Sequence, residues 1–202
     1  MIYPISLNLK DKPCLIVGGG NVAKRKAQGL LAAGARVIVI SPNIQADFPT
    51  VVHIIDTYHP HYLDEIHPIL VFATTNDSNV NQTVVTDAQA RHILVNNADA
   101  PADFTNMTVW QNPPLSVAIS TGGASPLLGQ HMRRRVADLF TNGYAEFAQY
   151  LLDLRGEVIR SIPTQSARYT FWQSVLTPET FALLDNEQHH AAIAKLKEVT
   201  LL

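Results

Sequence analysis

One feature constrains this chain more than any other. Three consecutive glycines stand between an apolar run and an amphipathic stretch in CLIVGGGNVAKRKAQGLLAAGARVIVISP, Cys14 to Pro42. CLIV reads as a buried strand and RVIVI as a second one. Between them, Asn21 to Ala33 reads as a helix with Ala23, Ala27, Leu30 and Leu31 on one face and Gly34 as its stop. Gly18, Gly20 and Ala23 then fit the spacing G-x-G-x-x-A at a strand-to-helix turn. The first glycine allows a tight turn, the second lets backbone approach a pyrophosphate, and the small third residue lets helix and strand pack closely. With Asn21 and Val22 completing the first turn, a phosphate would rest on free N–H groups at the positive end of the helix. A dinucleotide site is the functional reading of this loop, and a purely structural glycine turn is the alternative.

The loop departs from the usual pattern at its far end. A dinucleotide site of this kind commonly has an Asp or Glu after the second strand to accept from the ribose hydroxyls. Ser41 and Pro42 stand there instead. Ser41 can accept through one hydroxyl, more weakly than a carboxylate, and no arginine follows at once to pair a 2′-phosphate, so NADP is not favoured. Ser41-Pro42 also reads as a plain turn.

The same alternation continues along the chain. VVHII and ILVFAT read as third and fourth strands, Asp77 to Arg91 as a helix with Val80, Val84 and Ala88 at helical spacing, and HILVN as a fifth strand. Strands alternating with helices predict an α/β fold with a Rossmann-type parallel sheet covered on both faces. After Asn97 the pattern changes. TVW and LSVAIST read as strands joined by QNPP, a turn signal, and GGASP leads into a helix from about Pro126 to Phe140. Beyond that only helical periodicity remains, in Tyr144–Ser161, Gln165–Leu176 and Pro178–Val199. The expected organisation is a nucleotide-binding domain over 1–112, a small α+β region over 113–142 and a helical domain over 143–202.

Composition excludes several classes. The formal net charge is −2, so no basic field attracts nucleic acid. Cys14 is the only cysteine and lies in an apolar run, which excludes an internal disulfide and a cysteine-cluster metal site and suits the cytoplasm. MIYPISLNLKDK lacks the basic start and apolar stretch of a signal peptide, and no apolar run approaches the roughly 20 residues that span a bilayer. Charged residues make up 16%, against about 25% in soluble domains, which fits either a large core or a surface covered by a partner chain.

Four further stretches carry candidate chemistry. In ATTND, Thr74, Thr75 and Asn76 follow the fourth strand, at the edge where such sheets bind ligands. They could line the nicotinamide side or cap the next helix. In VNNADAPADF, Asp99 and Asp103 follow the fifth strand at that same edge, where a carboxylate suits proton removal coupled to hydride transfer. Asp99 before Ala-Pro is equally a turn residue. In STGGASP, paired Gly122 and Gly123 can form an anion nest, while Ser125 and Pro126 also read as a well-capped helix start. In HMRRRV, Arg133, Arg134 and Arg135 could pair carboxylates or form a solvated helix face. The eight histidines include His59 and His61 flanking Pro60, and the adjacent His189 and His190. None has metalloprotease spacing, and adjacent helical residues point about 100° apart. They read as surface residues, and no metal is expected.

CLIVGGGNVAKRKAQGLLAAGARVIVISP, FATTND, NADAPADF and LSVAISTGGASPLLGQHMRRRV occur in this order. Together they resemble the precorrin-2 dehydrogenase family of sirohaem synthesis, which includes the N-terminal module of sirohaem synthase. The specific motifs cover roughly 1–140, and the helical tail is similar only in character. The resemblance implies NAD-dependent oxidation of precorrin-2 to sirohydrochlorin. In some members it also implies insertion of Fe2+ to give sirohaem. It implies a Rossmann-type domain, a dimerisation region and a helical domain in an intertwined homodimer, and use of NAD without the usual ribose acid. It implies that Asp99 is the aspartate of dehydrogenation and chelation and that Ser125 lies near the tetrapyrrole. The chain departs from the family at Asn106 and Met107, where many members have a proline, and with no methyltransferase module in this sequence it is not expected to make precorrin-2 itself. Two rival readings are a dehydrogenase without chelatase activity and a non-catalytic NAD-binding regulatory module.

Overall fold

The computed structural model describes residues 3–200, with side chains through residue 198. Internal contacts divide the chain into two compact units, Met1–Asn106 and Met107–Leu202.

In the first unit, β1 (Pro13–Val17), β2 (Arg36–Ile40), β3 (Val52–Ile54), β4 (Leu70–Ala73) and β5 (Leu94–Asn97) form a five-stranded sheet in the order β3-β2-β1-β4-β5. Every pairing is parallel. Successive side chains of a strand point to opposite faces. The continuous apolar runs therefore feed two cores. Leu15, Val17, Ile38, Ile40, Val71 and Ala73 meet Tyr62 and Leu63 of α2 (His61–Ile66), and Val84, Val85 and Ala88 of α3 (Ser78–Ala90). Cys14, Ile16, Val37, Val39, Leu70 and Phe72 meet Ala23, Ala27 and Leu30 of α1 (Asn21–Ala32). This is the doubly covered parallel sheet expected from the sequence, and a run buried on both faces shows no polar alternation for that reason.

The strand order sets the position of any ligand. From β1 the chain moves outward to β2 and β3, then returns across β1 to β4 and β5. The reversal leaves a crevice between the loops that follow β1 and β4, at the carboxyl ends of the strands.

In the second unit, β6 (Thr108–Asn112) and β7 (Leu115–Ile119) form an antiparallel hairpin through Pro113 and Pro114. The helix α4 (Pro126–Leu139) packs on it closely: a Cβ on Gly129 would meet the Thr108 hydroxyl oxygen at 2.7 Å. Helices α5 (Asn142–Ser161), α6 (Gln165–Val175), α7 (Pro178–Asp185) and α8 (His189–Thr200) bury Phe147, Leu154, Val158, Val175, Leu184, Ala192 and Leu196 together.

Two elements differ from the sequence reading. The helix α2 was not expected: it has six residues and buries only Tyr62 and Leu63, too few for a helical period to emerge. The stretch of helical periodicity over Pro178–Val199 forms two helices, broken between α7 and α8, where Glu187 adopts φ 60° and Gln188 N–H donates to Leu183 O at 2.7 Å. That bond closes the last turn of α7 and redirects the chain. Among the described residues, no helix is long and apolar enough to cross a membrane.

Candidate functional site

A cavity of about 640 Å³ opens at the crevice, lined by the loops after β1, β2, β3 and β4. Gly18 has φ 117°, a conformation that side chains rarely adopt, and its N–H donates to Ile40 O at 2.9 Å. A Cβ there would lie 2.7 Å from Thr74 O, so the β1 turn sits directly against the end of β4. Gly19, which the spacing rule leaves unspecified, is the tightest of the three: a Cβ would fall 2.0 Å from Asn43 O. Gly20 is the opposite case, since a Cβ on it would meet nothing within 4 Å.

That open side is where a phosphate fits. Gly20 caps α1 without a side-chain acceptor, so the first N–H groups of the helix, beginning with Asn21 and Val22, receive no side-chain cap. An anion there would accept from them at the positive end of the helix. Ala23 is fully buried and lets α1 lie close on the sheet, as the spacing predicts. The donors and the space therefore suit a dinucleotide pyrophosphate.

The flanking residues divide by how their polar atoms are engaged. Ser41 is buried and its hydroxyl donates to Asn43 O at 2.7 Å, so it can only accept from a ligand, with Pro42 beside it in the cavity wall. Thr74 Oγ1 donates to Val17 O at 2.8 Å and stitches β4 to β1. Thr75 N–H and Oγ1 both donate to Asn81 Oδ1 at 2.9 Å, while Asn76 is exposed in the cavity lining. Asp77 caps α3, accepting from the N–H groups of Asn79 at 2.8 Å and Val80 at 3.3 Å. The ATTND stretch thus both lines the cavity and starts the helix.

Asp99 is exposed beyond β5. Its Oδ2 accepts from Asn81 Nδ2 at 2.6 Å and from the Ser78 hydroxyl at 3.3 Å, and its N–H donates to Asn97 Oδ1 at 3.0 Å. Asn81, fully buried on α3, thereby connects Thr75 in the cavity wall to Asp99. Sequence reasoning missed it, because a polar residue next to the apolar helix face carries no signal of its own. Asp103 is committed elsewhere: its two carboxylate oxygens accept from Val95 N–H at 3.0 Å and Gln89 Nε2 at 2.8 Å, fixing the loop. Asn106 accepts from the Lys26 ammonium. Burial first, and the neighbouring Arg25 charge second, lower the Lys26 pKa to about 8.

In the second unit, Gly122 and Gly123 adopt φ 62° and 85°, with open space where their Cβ atoms would be. Ser125 caps α4, its Oγ accepting from Leu128 N–H at 3.4 Å. Arg133, Arg134 and Arg135 are exposed, and among the described residues their guanidinium groups have no ion pair. His189 and His190 do come together with Glu146: one ligand atom from each lies within 4.8 Å of the others. Two of the three are exposed, and His189 Nε2 meets Glu146 Oε2 at 3.0 Å as a contact between α8 and α5.

Comparisons with known proteins follow the same division of the chain. Residues 5–108 match the family model described as "Putative NAD(P)-binding", residues 113–139 "Sirohaem biosynthesis protein central", and residues 143–199 "Sirohaem synthase dimerisation region". The sirohaem synthase of Nitrosomonas eutropha is 38% identical over 86% of this chain and 38% of its own length. That of Chromobacterium violaceum is 35% identical over 97% and 43%, and that of Escherichia coli O157:H7 is 37% identical over 92% and 42%. The chain therefore spans about two fifths of the length of these curated relatives. A solved structure titled "SirC, precorrin-2 dehydrogenase" has the same fold, with a TM-score of 0.74, 23% identity, and coverage of 98% of this chain and 100% of the other. With residues 5–108 matched by the NAD(P)-binding model and the remainder by the central and dimerisation models of sirohaem biosynthesis, this chain belongs to the putative NAD(P)-binding family.

Proposed function

We propose that this chain oxidises precorrin-2 to sirohydrochlorin with NAD. The observation that carries the reading is the shared anchoring of the cavity wall and a carboxylate: buried Asn81 bonds Thr75 on one side and Asp99 on the other. Gly18, Gly20, Asn21 and Val22 would hold the pyrophosphate with Ala23 packing α1 close behind them, Ser41 and Pro42 would border the ribose, and Thr74, Thr75 and Asn76 the nicotinamide. NAD, when bound, supplies the hydride acceptor. Oxidation removes one hydride and one proton from the substrate, and Asp99 is the base that takes the proton.

The substrate is a polycarboxylate, so its site needs donors and cations more than a basic protein overall. Ser125, Gly122 and Gly123 offer hydroxyl and backbone groups, and Arg133 and Arg134 offer exposed guanidinium forks for carboxylates. The proposal includes a three-part organisation, 1–112, 113–142 and 143–202, and a homodimer. The separate family models and the dimerisation description of the third support both. A cytoplasmic setting accords with a single buried Cys14.

Anaerobic turnover of precorrin-2 with NAD, followed by absorbance, tests the activity. Asp99→Asn should keep NADH binding and lose most turnover. Full turnover would exclude the acid/base role, and failure of the parent chain to bind nucleotide or oxidise precorrin-2 would exclude the function. A nucleotide-binding regulatory module would bind without turnover.

A second reaction of the same site is Fe2+ insertion into sirohydrochlorin, with two pyrrole protons leaving as the ion enters. The sirohaem synthase relatives favour it, and Asp99 could accept those protons. Supplying sirohydrochlorin and Fe2+ without NAD, and comparing with the uncatalysed rate, separates a bifunctional enzyme from a dehydrogenase alone.

A further inference from the structure

The crevice lacks an acid where the sequence pattern calls for one, and the structure offers another close by. Ser41, following β2, is uncharged and has spent its hydroxyl proton on Asn43 O. The carboxylates that line the cavity are Asp56 and Asp77. Asp77 is engaged as the cap of α3, beside β4. Asp56 follows β3, which pairs with β2 on the side away from β4. In sheets of this kind the adenosine ribose lies at the end of the strand after the glycine helix, here β2. Asp56 borders that position.

Its side chain is fixed from two directions. One oxygen accepts the Thr57 N–H at 2.7 Å, and the other accepts the Tyr62 hydroxyl at 2.5 Å. The Tyr62 bond first, then the Thr57 N–H, hold the carboxyl below the usual carboxylate range, so it is an anion at neutral pH. A carboxylate oxygen with one bond retains capacity for another. Among the described residues, no lysine or arginine lines the cavity to balance a second negative group.

We propose that Asp56 is the acceptor for the adenosine half of the dinucleotide, and that its charge selects NAD over NADP by opposing a 2′-phosphate. It takes from the proposed function only that the crevice holds a nicotinamide dinucleotide. The chemistry is that of the missing ribose acid, delivered from the end of β3 rather than β2.

The test is direct binding of NADH, NADPH and deamino-NADH to the intact chain, without tetrapyrrole, read by nucleotide fluorescence. Asp56→Asn should weaken NADH about tenfold, the loss of a charged hydrogen bond, and bring NADPH to within about threefold of NADH. Tyr62→Phe, which leaves the charge in place, should lose less NADH affinity and still reject NADPH. Deamino-NADH, which lacks the 6-amino group, identifies the donor. Parent affinity equal to NADH assigns the ribose hydroxyl; a loss that disappears in Asp56→Asn assigns the adenine. Melting of both variants near the parent temperature establishes that they fold. NADH binding within twofold of the parent in Asp56→Asn, with NADPH still rejected, would overturn the inference. A parent chain that binds none of the three would sink the proposed function, and the role of Asp56 with it.

Discussion

Asn81 Nδ2 donates to Asp99 Oδ2 at 2.6 Å, and the same amide nitrogen donates to Thr75 O at 3.1 Å. Because Asn81 Oδ1 accepts from Thr75 N–H and Oγ1, one buried side chain sets both the cavity wall and the orientation of the carboxylate. A group with so many partners in a fully buried position is costly to disturb.

Asn81→Asp keeps the acceptor that faces Thr75 and replaces the donor that faces Asp99. Two ionised carboxylates at that separation repel, which raises the pKa of the pair's first protonation. The variant should lose on the order of tenfold in kcat at neutral pH, with NADH affinity changed much less, and should recover part of the loss as pH falls and the pair shares a proton. The swapped double variant, Asn81→Asp with Asp99→Asn, restores the donor–acceptor match at residue 99 but not the bond to Thr75 O, and should recover part of the lost melting temperature but not turnover. Steady-state kinetics across pH and thermal melts read both.

Gly19→Ala and Gly20→Ala should separate folding from binding. The first places a methyl 2.0 Å from Asn43 O and should cost about 1–3 kcal/mol with displacement of the 41–43 loop. The second meets no protein atom within 4 Å, so it should melt like the parent yet weaken NADH by at least tenfold, because its methyl occupies the space left for the pyrophosphate. Denaturant unfolding and nucleotide titration give the two numbers.

Arg133→Ala and Arg134→Ala remove exposed guanidinium groups that have no ion pair among the described residues, and should leave stability within about 0.5 kcal/mol. At least one should raise the KM for precorrin-2 with little change in NADH affinity. Parent-like KM values in both, and in Arg135→Ala, would remove these arginines from the substrate site.

Cys14 is fully buried in the central strand, and burial raises its pKa from 9.0 to about 11. Between those values the folded chain holds a proton that the unfolded chain has lost. Its contribution to stability is therefore fully present below pH 9 and declines as pH rises towards 11. At pH 8.5 a thiol reagent should label Cys14 only at the rate of unfolding. Fast labelling of the native chain would contradict the burial.

The β1–α1–β2 unit was legible because its apolar runs are continuous and its glycines fall at the turn. The break at Glu187 was not, since Asn186, Glu187 and Gln188 each fit a helix interior tolerably and only the packing of α8 on α5 selects the turn. The site divides similarly. Gly18, Gly20, Ala23 and the ATTND loop follow from spacing, and the structure puts them around one cavity, apart from Ala23 beneath it. The need for Gly19, the bridge through Asn81 and the engagement of Asp103 depend on what other segments bring near them. No local pattern encodes such approaches.

The contact between Gly18 and the Thr74 carbonyl has an evolutionary corollary. The two lips of the crevice belong to strands far apart in the chain, yet a side chain added at Gly18 would strike the Thr74 carbonyl, so that position cannot gain bulk unless the end of β4 shifts. Descendants that add bulk at Gly18 must therefore move the β4 loop in concert, whereas Gly20, two residues on, is free to vary and to be tested as chemistry alone.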